Sequence, residues 1–427
     1  MWGATIVVHT SSGRPPKASR RESQLAALPP SVPSTRFLWP DSPMTGKSGP
    51  LRILHAIDSA GIYGAETVLL TLAAEQHRRG QEPMLLSIGN PGSAEKPLEA
   101  EARRRGLAVM PFRMRDGLNL RGAREIVALA AEQRIDLIHS HGYKSNILLG
   151  LLSPVARGRP VIATLHGWTA KSPWSRLGLY RFLDQQLLRR LNSVVLVSER
   201  LKSARAVRAL DPEKLTVIPN GIELDATPGM GGTSSDELAR RIIEFGQRVG
   251  TVVGAVGRLS AEKNFSALIE AADLALSRGA RFGVVLLGNG PEFDSLQENV
   301  KDRGLADRVM MAGFVAEARR YIPLFQVLAM PSLTEGLPIT LLEALSENLP
   351  VIATRVGDIP AVLGDLGVLV TPGDAEALAE AIYQFVTAPE PYRRAASGGQ
   401  ARVRDQFSAQ VMFERYDNTY RRVLASA

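Results

Sequence analysis

The part of this chain best suited to chemistry is Glu335-Gly336-Leu337-Pro338-Ile339-Thr340-Leu341-Leu342-Glu343, two carboxylates eight positions apart. Proline is tolerated in the first turn of a helix, where its missing N–H is not needed, so the spacing predicts a helix starting near Pro338. Glu335 then belongs to the preceding loop, and Glu343 lies more than a turn into the helix. Free N–H groups at a helix start favour negative charge. Two hydroxyl acceptors around such an end suit a sugar joined to a phosphate. An isolated pair with this spacing is ordinarily a loop Glu and a solvated helical Glu, but the flanking segments argue otherwise.

A second group of chemical residues sits in Gly257-Arg258-Leu259-Ser260-Ala261-Glu262-Lys263-Asn264. The apolar run before it reads as a strand ending at Gly257, and Phe265, Leu268, Ile269 and Ala272 resume helical spacing. Arg258 and Lys263 therefore share one strand-to-helix turn, where both can reach one anion. Arg grips phosphate bidentately and Lys adds a compact charge. Alone, such a pair is more often a solvated loop. Val327-Leu328-Ala329-Met330 and Val351-Ile352-Ala353-Thr354 read as buried strands on either side of the carboxylate segment. Strand, loop, helix, strand is a parallel βαβ unit, whose ligands lie beyond the strand C-termini.

The N-terminal half repeats the pattern. Leu51–Ile57 reads as a strand, followed by Gly61-Ile62-Tyr63-Gly64-Ala65-Glu66 and a helical run through Val68, Leu69 and Leu72. Glycines there let backbone approach a phosphate at a helix start, although tight turns also use them. Ile138-His139-Ser140-His141 and Ala163-Thr164-Leu165-His166 each end an apolar strand. A strand-end His is either a hydrogen-bonded structural residue or a cleft residue.

Together these segments resemble the retaining GT-B glycosyltransferases of family 4. The matches are Gly257-Arg258-Leu259 with Glu262-Lys263, Gly288-Asn289-Gly290-Pro291-Glu292, Gly313-Phe314, Pro331-Ser332 and the spaced Glu pair, in the family's order. The resemblance implies an α/β chain with two Rossmann-like domains facing across a cleft and a C-terminal helix crossing back to the first domain. It implies a nucleotide-sugar donor, such as a UDP-hexose, and a saccharide or lipid-linked acceptor. Arg258 and Lys263 would neutralise the diphosphate, and Glu343 would accept from the ribose. Glu335 with the backbone of Gly336 and Leu337 would hold the sugar, and Gly64 would approach the phosphates. His166 matches the T-x-H-G histidine near the donor sugar, whereas Gly61, His141 and Asn220 (from Pro219-Asn220-Gly221) are further cleft candidates. Tyr63 stands where many members have a second Gly. No D-x-D motif occurs, so neither a metal nor another cofactor is expected.

Size and composition suit two domains: 427 residues, 45% hydrophobic and 22% charged. The expected layout is an extension 1–50, a first domain 51–222, a Gly-rich linker 223–250, a donor domain 251–404 and the crossing helix 405–427. The extension holds eight Pro and eight Ser with no apolar periodicity, which reads as disorder and not as a signal peptide. Met44 is an alternative start; without residues 1–43, which carry five basic and two acidic groups, net charge falls from +8 to +5. No nucleic-acid module is evident.

With no Cys, disulfides and thiolate chemistry are excluded, which fits a cytoplasmic location. No apolar run reaches the roughly 18 residues of a membrane span. Lys171 to Arg190 mixes Trp174, Leu and Phe with five basic residues and Asp184. It reads either as a core-packed helix with a basic side or as a surface helix on an anionic membrane. Three other functions compete: a GT-B nucleotide-sugar epimerase, a two-lobed sugar-binding protein and an inactive partner subunit.

Overall fold

Short apolar runs, buried in the central strands and half-buried in the edge strands, build two parallel sheets, as expected for strands covered by helices on both faces. In the first half these are β1 (Arg52–Asp58), β2 (Glu82–Gly89), β3 (Ala108–Arg113), β4 (Leu137–His141), β5 (Val161–Leu165), β6 (Ser193–Leu196) and β7 (Leu215–Val217). Their order in the sheet is β3-β2-β1-β4-β5-β6-β7. The second sheet comprises β8 (Thr251–Val256), β9 (Phe282–Leu287), β10 (Val309–Met311), β11 (Val327–Met330), β12 (Val351–Thr354) and β13 (Val368–Val370), ordered β10-β9-β8-β11-β12-β13. Each is a doubly wound Rossmann-like sheet. The computed structural model describes residues 49–59, 61–166, 176–224, 236–315 and 317–426, all within one unit, Met44–Ala427. The extension and the Gly-rich segment 229–235 lie outside the described residues.

Side-chain alternation along the second sheet separates two cores. Val285, Leu287, Leu328, Met330 and Val351 face one side, and Val253, Ala255, Val284, Leu286 and Val327 the other. The stretch read as linker needs correction. Residues 237–249 form a helix whose Ile242, Phe245 and Val249 are buried in the first of these cores, with Val285 and Leu328. The 4–3–4 spacing from Leu238 through these residues is the amphipathic signal that places it there.

The helix Ala409–Ala425 crosses back onto the first domain. Its Met412, Tyr416, Tyr420 and Val423 pack with Ile53, Val68, Leu72, Ile162 and Ile218. At the crossing, the two connecting strands of chain are stitched together. The Ile222 N–H donates to Phe407 O at 2.8 Å, and the Ala409 N–H to Ile222 O at 2.8 Å. Gly221 is required here, because a Cβ would lie 2.7 Å from Ser408 O and 2.9 Å from Met412 Cβ. Further links join the halves: Arg105 to Glu223 at 3.0 Å, Arg104 to Glu317 at 2.6 Å, and Ser198 Oγ to Asp358 Oδ1 at 2.6 Å.

Candidate active site

In the second sheet, the winding direction reverses between β8 and β11, which are neighbours although β9 and β10 intervene in the chain. Ligands of open α/β sheets lie at the carboxyl ends of such strands. The β8 turn carries Arg258 and Lys263, and the β11 turn carries Glu335. These two turns meet. Lys263 Nζ donates to Glu335 Oε1 at 2.6 Å, and Ser332 Oγ donates to the same oxygen at 2.7 Å. The Leu333 N–H bonds Glu262 O at 2.8 Å, locking one loop to the other. Glu262 is held below its ordinary pKa, by its Ser260 hydrogen bond first and by the nearby Arg258 and Lys263 charges after it.

Backbone-to-backbone contact explains the Gly-rich motif behind these turns. A Cβ on Gly288 would collide with Gly257 O, and one on Gly290 with Leu259 O. The Leu259 N–H reaches Asn289 O at 3.0 Å, and Glu292 N–H returns to Leu259 O at 3.0 Å. On the opposite flank, Gly357 at φ +55° lies against the Glu335 and Gly336 carbonyls, and the Asp358 N–H donates to Gly336 O at 3.0 Å. Only glycine fits such an approach in a left-handed conformation.

The helix after Glu335 runs Ile339–Ser346 with Pro338 as its N-cap, one position earlier than the first turn. Glu343 is partly exposed at the surface of this helix, yet burial raises its carboxyl to about 7, with Arg319 pulling the other way. Arg319 was not singled out in the sequence. It is an ordinary Arg in Glu317-Ala318-Arg319-Arg320, and no motif distinguishes it from its neighbour. Leu337 is 6% exposed and belongs to the core; its carbonyl accepts from Asn220 Nδ2 at 3.3 Å. Asn220 thus joins the two domains.

Across the cleft, the helix Gly64–Arg78 begins with Gly64 exposed and nothing within 4 Å of where its Cβ would be. Glu66 accepts from the Tyr63 N–H at 3.0 Å, fixing the helix start. The Tyr63 ring lies 5.8 Å from the Arg258 guanidinium carbon. This places Arg258 opposite the first-domain helix start while Lys263 is bound to Glu335. Gly61 makes room for that ring, since its Cβ would lie 3.0 Å from Tyr63 Cε2.

His166 directly follows β5, is partly exposed, and its carbonyl lies 3.9 Å from where a Gly336 Cβ would be. It therefore borders the carboxylate loop. His141 does not line the cleft, contrary to the sequence expectation. It is 3% exposed and stands behind His166, with Nδ1 3.5 Å from His166 Nε2. The reason is register: His139 and His141 are two apart on a buried central strand, and His55 on β1 pairs with His139. Burial pushes His55 and His166 down to about 4, and lowers His139 and His141 well below their ordinary range. His55 and His139 were missed; their apolar strand neighbours concealed them.

Among the described residues, His55, His139 and His141 form a group in which one ligand atom from each lies within 4.8 Å of the others. Yet His55 and His139 have partners on both ring nitrogens: His141 (3.1 Å) and Gln76 (2.8 Å) for His55, Tyr420 (2.8 Å) and Thr164 (2.7 Å) for His139. The basic segment 171–190 is only partly described. Trp174 and the side chains of Arg176 and Arg181 lie outside the described residues, while Asp184 is buried and accepts from Asn146 Nδ2 at 2.9 Å. Among the described residues no helix is long and apolar enough to cross a membrane.

The chain matches a family model described as glycosyltransferase family 4 over residues 62–226 and one described as glycosyl transferases group 1 over residues 250–388. It is 29% identical to the 2-deoxystreptamine N-acetyl-D-glucosaminyltransferase of Streptomyces fradiae over 86% of this chain and 92% of that protein. It is 27% identical to the UDP-Gal:α-D-GlcNAc-diphosphoundecaprenol α-1,3-galactosyltransferase of Escherichia coli over 53% of this chain and 60% of that one. The crystal structure of Anabaena HepE in complex with UDP superposes with a TM-score of 0.72 at 23% identity, covering 88% of this chain and all of that one.

Proposed function

The chain belongs to the family 4 glycosyltransferases, and from that premise we propose that it moves a hexose from a UDP-sugar to a saccharide or lipid-linked acceptor with retention of anomeric configuration. The observation that carries the reading is the meeting of Lys263 and Glu335 at the β8/β11 reversal, with Arg258 and the Gly64 helix start facing each other across the cleft. Two fixed cations and a helix N-terminus offset a diphosphate without a metal ion. Related proteins support the donor: HepE structures contain UDP and UDP-glucose, and the Escherichia coli relative is a UDP-Gal enzyme.

In the proposed reaction the bond from sugar C1 to the β-phosphate oxygen breaks and a bond from C1 to the acceptor oxygen forms on the same face. The acceptor proton passes to the departing phosphate, so no carboxylate nucleophile is required. Arg258 and Lys263 stabilise the charge growing on that phosphate. When Lys263 turns to phosphate, Glu335 is released to the sugar hydroxyls. Glu343 accepts from the ribose hydroxyls, and His166 borders the sugar. Product should build surface polysaccharide or glycolipid. A peripheral contact of residues 171–190 with the anionic cytoplasmic membrane face would bring enzyme to a lipid-linked acceptor.

The test is transfer from a panel of UDP-hexoses to saccharide and polyprenyl-diphosphate acceptors, with products followed by mass spectrometry and anomeric NMR. UDP release that depends on acceptor is expected. Conversion of the donor to an isomeric nucleotide-sugar without acceptor would establish the epimerase reading instead, and tight sugar binding without turnover a binding protein.

A further inference from the structure

A buried hydrogen-bond chain links His166 to the first helix and the crossing helix, and the direction of each bond in its Gln76–His55–His141 branch follows from the glutamine amide oxygen. Tyr420 OH, on the crossing helix, accepts from Gln76 Nε2 at 3.4 Å and lies 2.8 Å from His139 Nδ1. His139 Nε2 is 2.7 Å from Thr164 Oγ1, and Thr164 is 3.0 Å from Tyr416 OH; hydroxyls on both sides let this branch run in either direction. On the other branch Gln76 Oε1 can only accept, so His55 Nε2 donates to it at 2.8 Å. Neutral His55 is left with an acceptor at Nδ1, which takes the hydrogen of His141 Nε2 at 3.1 Å. His141 Nδ1 is then an acceptor facing His166 Nε2 at 3.5 Å, the longest link of the chain. Burial keeps these imidazoles neutral, so each has one donor and one acceptor nitrogen. His166 Nδ1 has no partner among the described residues.

We propose that Gln76, His55 and His141 are positioning residues that fix His166 with its hydrogen on Nε2, so that Nδ1 is offered to the cleft as an acceptor for a substrate hydroxyl. The substrate part rests on the glycosyltransferase reading above; the relay itself does not. A neutral His166 with the opposite tautomer would present an N–H, matched to a carbonyl or phosphate oxygen. The amide of one glutamine thereby selects which kind of group the cleft accepts at this point. A cation held by His55, His139 and His141 would have to break the bonds to Gln76, Tyr420 or Thr164, and is the competing use of the cluster.

The experiment is long-range proton–nitrogen NMR of the full chain labelled with ¹⁵N-histidine at pH 7, which resolves both nitrogens of each of its six histidines. The expected result is neutral His166, His141 and His55 with hydrogen on Nε2. Gln76→Met, which removes the acceptor at the head of the branch, should spread His166 over both tautomers. Gln76→Glu restores an acceptor for His55 Nε2 and should restore the His166 tautomer. Turnover should fall roughly 5-fold in Gln76→Met, the scale of one lost hydrogen bond, with UDP affinity unchanged. His166 found with its hydrogen on Nδ1 in the unmodified chain overturns the proposal, as does a Gln76→Met protein whose His166 keeps the Nε2 hydrogen. So does stoichiometric metal in the purified protein bound to the three buried histidines. The spectrum needs no substrate, so a chain that transfers no sugar still decides the relay.

Discussion

Acidification from pH 7 to pH 5 should destabilise the folded chain through its buried histidines. His55 and His166 are pushed down to about 4 by burial, against about 6.5 when unfolded. Between those values the unfolded chain binds protons that the folded chain refuses. Stability is therefore present above about 6.5 and lost as pH falls towards 4. Integrated from pH 7 to 5, each such group removes about 2 kcal/mol. His139 and His141 are shifted the same way, by burial first and neighbouring histidines after it, and add to the loss. Glu343 opposes them. Its folded carboxyl, raised to about 7 by burial, binds a proton before the unfolded one does, so the same acidification returns about 2 kcal/mol. A net loss of about 2 kcal/mol or more remains. Urea midpoints followed by circular dichroism at pH 7, 6 and 5 measure it. His55→Gln should lower stability at pH 7 and flatten the pH dependence by about 2 kcal/mol. A midpoint that holds or rises on acidification, or a His55→Gln protein with the unmodified pH slope, would show that the buried histidines do not set this dependence.

Other outcomes follow from the proposed site. Arg258→Ala and Lys263→Ala should each cut turnover roughly 100-fold, the scale of losing one charge-stabilising donor, with unchanged circular dichroism; near-normal rates in both would remove the clamp. Glu343→Gln should weaken UDP itself, whereas Glu335→Gln should spare UDP and lower turnover, as calorimetry and kinetics would separate. Because Glu343 is raised to about 7 and is proposed to accept as a carboxylate, UDP affinity should drop about tenfold from pH 8 to pH 6; an equal drop in Glu343→Gln would assign it elsewhere. Activity should survive excess EDTA, and loss restored by Mg²⁺ would mean that the two cations are insufficient. Gly288→Ala, colliding with Gly257 O, should lower the thermal midpoint and nucleotide affinity together.

Much of this arrangement was legible because local rules and tertiary needs agreed. The strand ends read at Ile57 and Gly257 lie within a residue of the observed ones, Asp58 and Val256, since apolar runs bounded by Gly leave little choice. The crossing helix, expected within 405–427, runs Ala409–Ala425. Three things were not legible. The helix 237–249 follows a Gly-rich run whose composition drew the linker boundary too far along the chain. Arg319 reaches the Glu343 neighbourhood only through the fold. The histidine chain depends on parallel register between β1 and β4 and on Tyr416 and Tyr420, about 280 residues further on. Sequence spacing carries no information about that meeting.

The crossing helix has a consequence for how the chain is made. Ile53, Val68, Leu72, Ile162 and Ile218 are all translated before Ile222, but the helix that covers them follows about 190 residues later. At roughly 5–20 residues per second, the nascent first domain waits on the order of 10–40 s with that apolar face uncovered and His139 lacking Tyr420. During the wait the face is open to chaperones or to another nascent chain on the same message. Fusing residues 405–427 ahead of residue 51 through a flexible linker would supply the cover early. Yield in cells with depleted trigger-type chaperones would then report how costly the ordinary order of synthesis is.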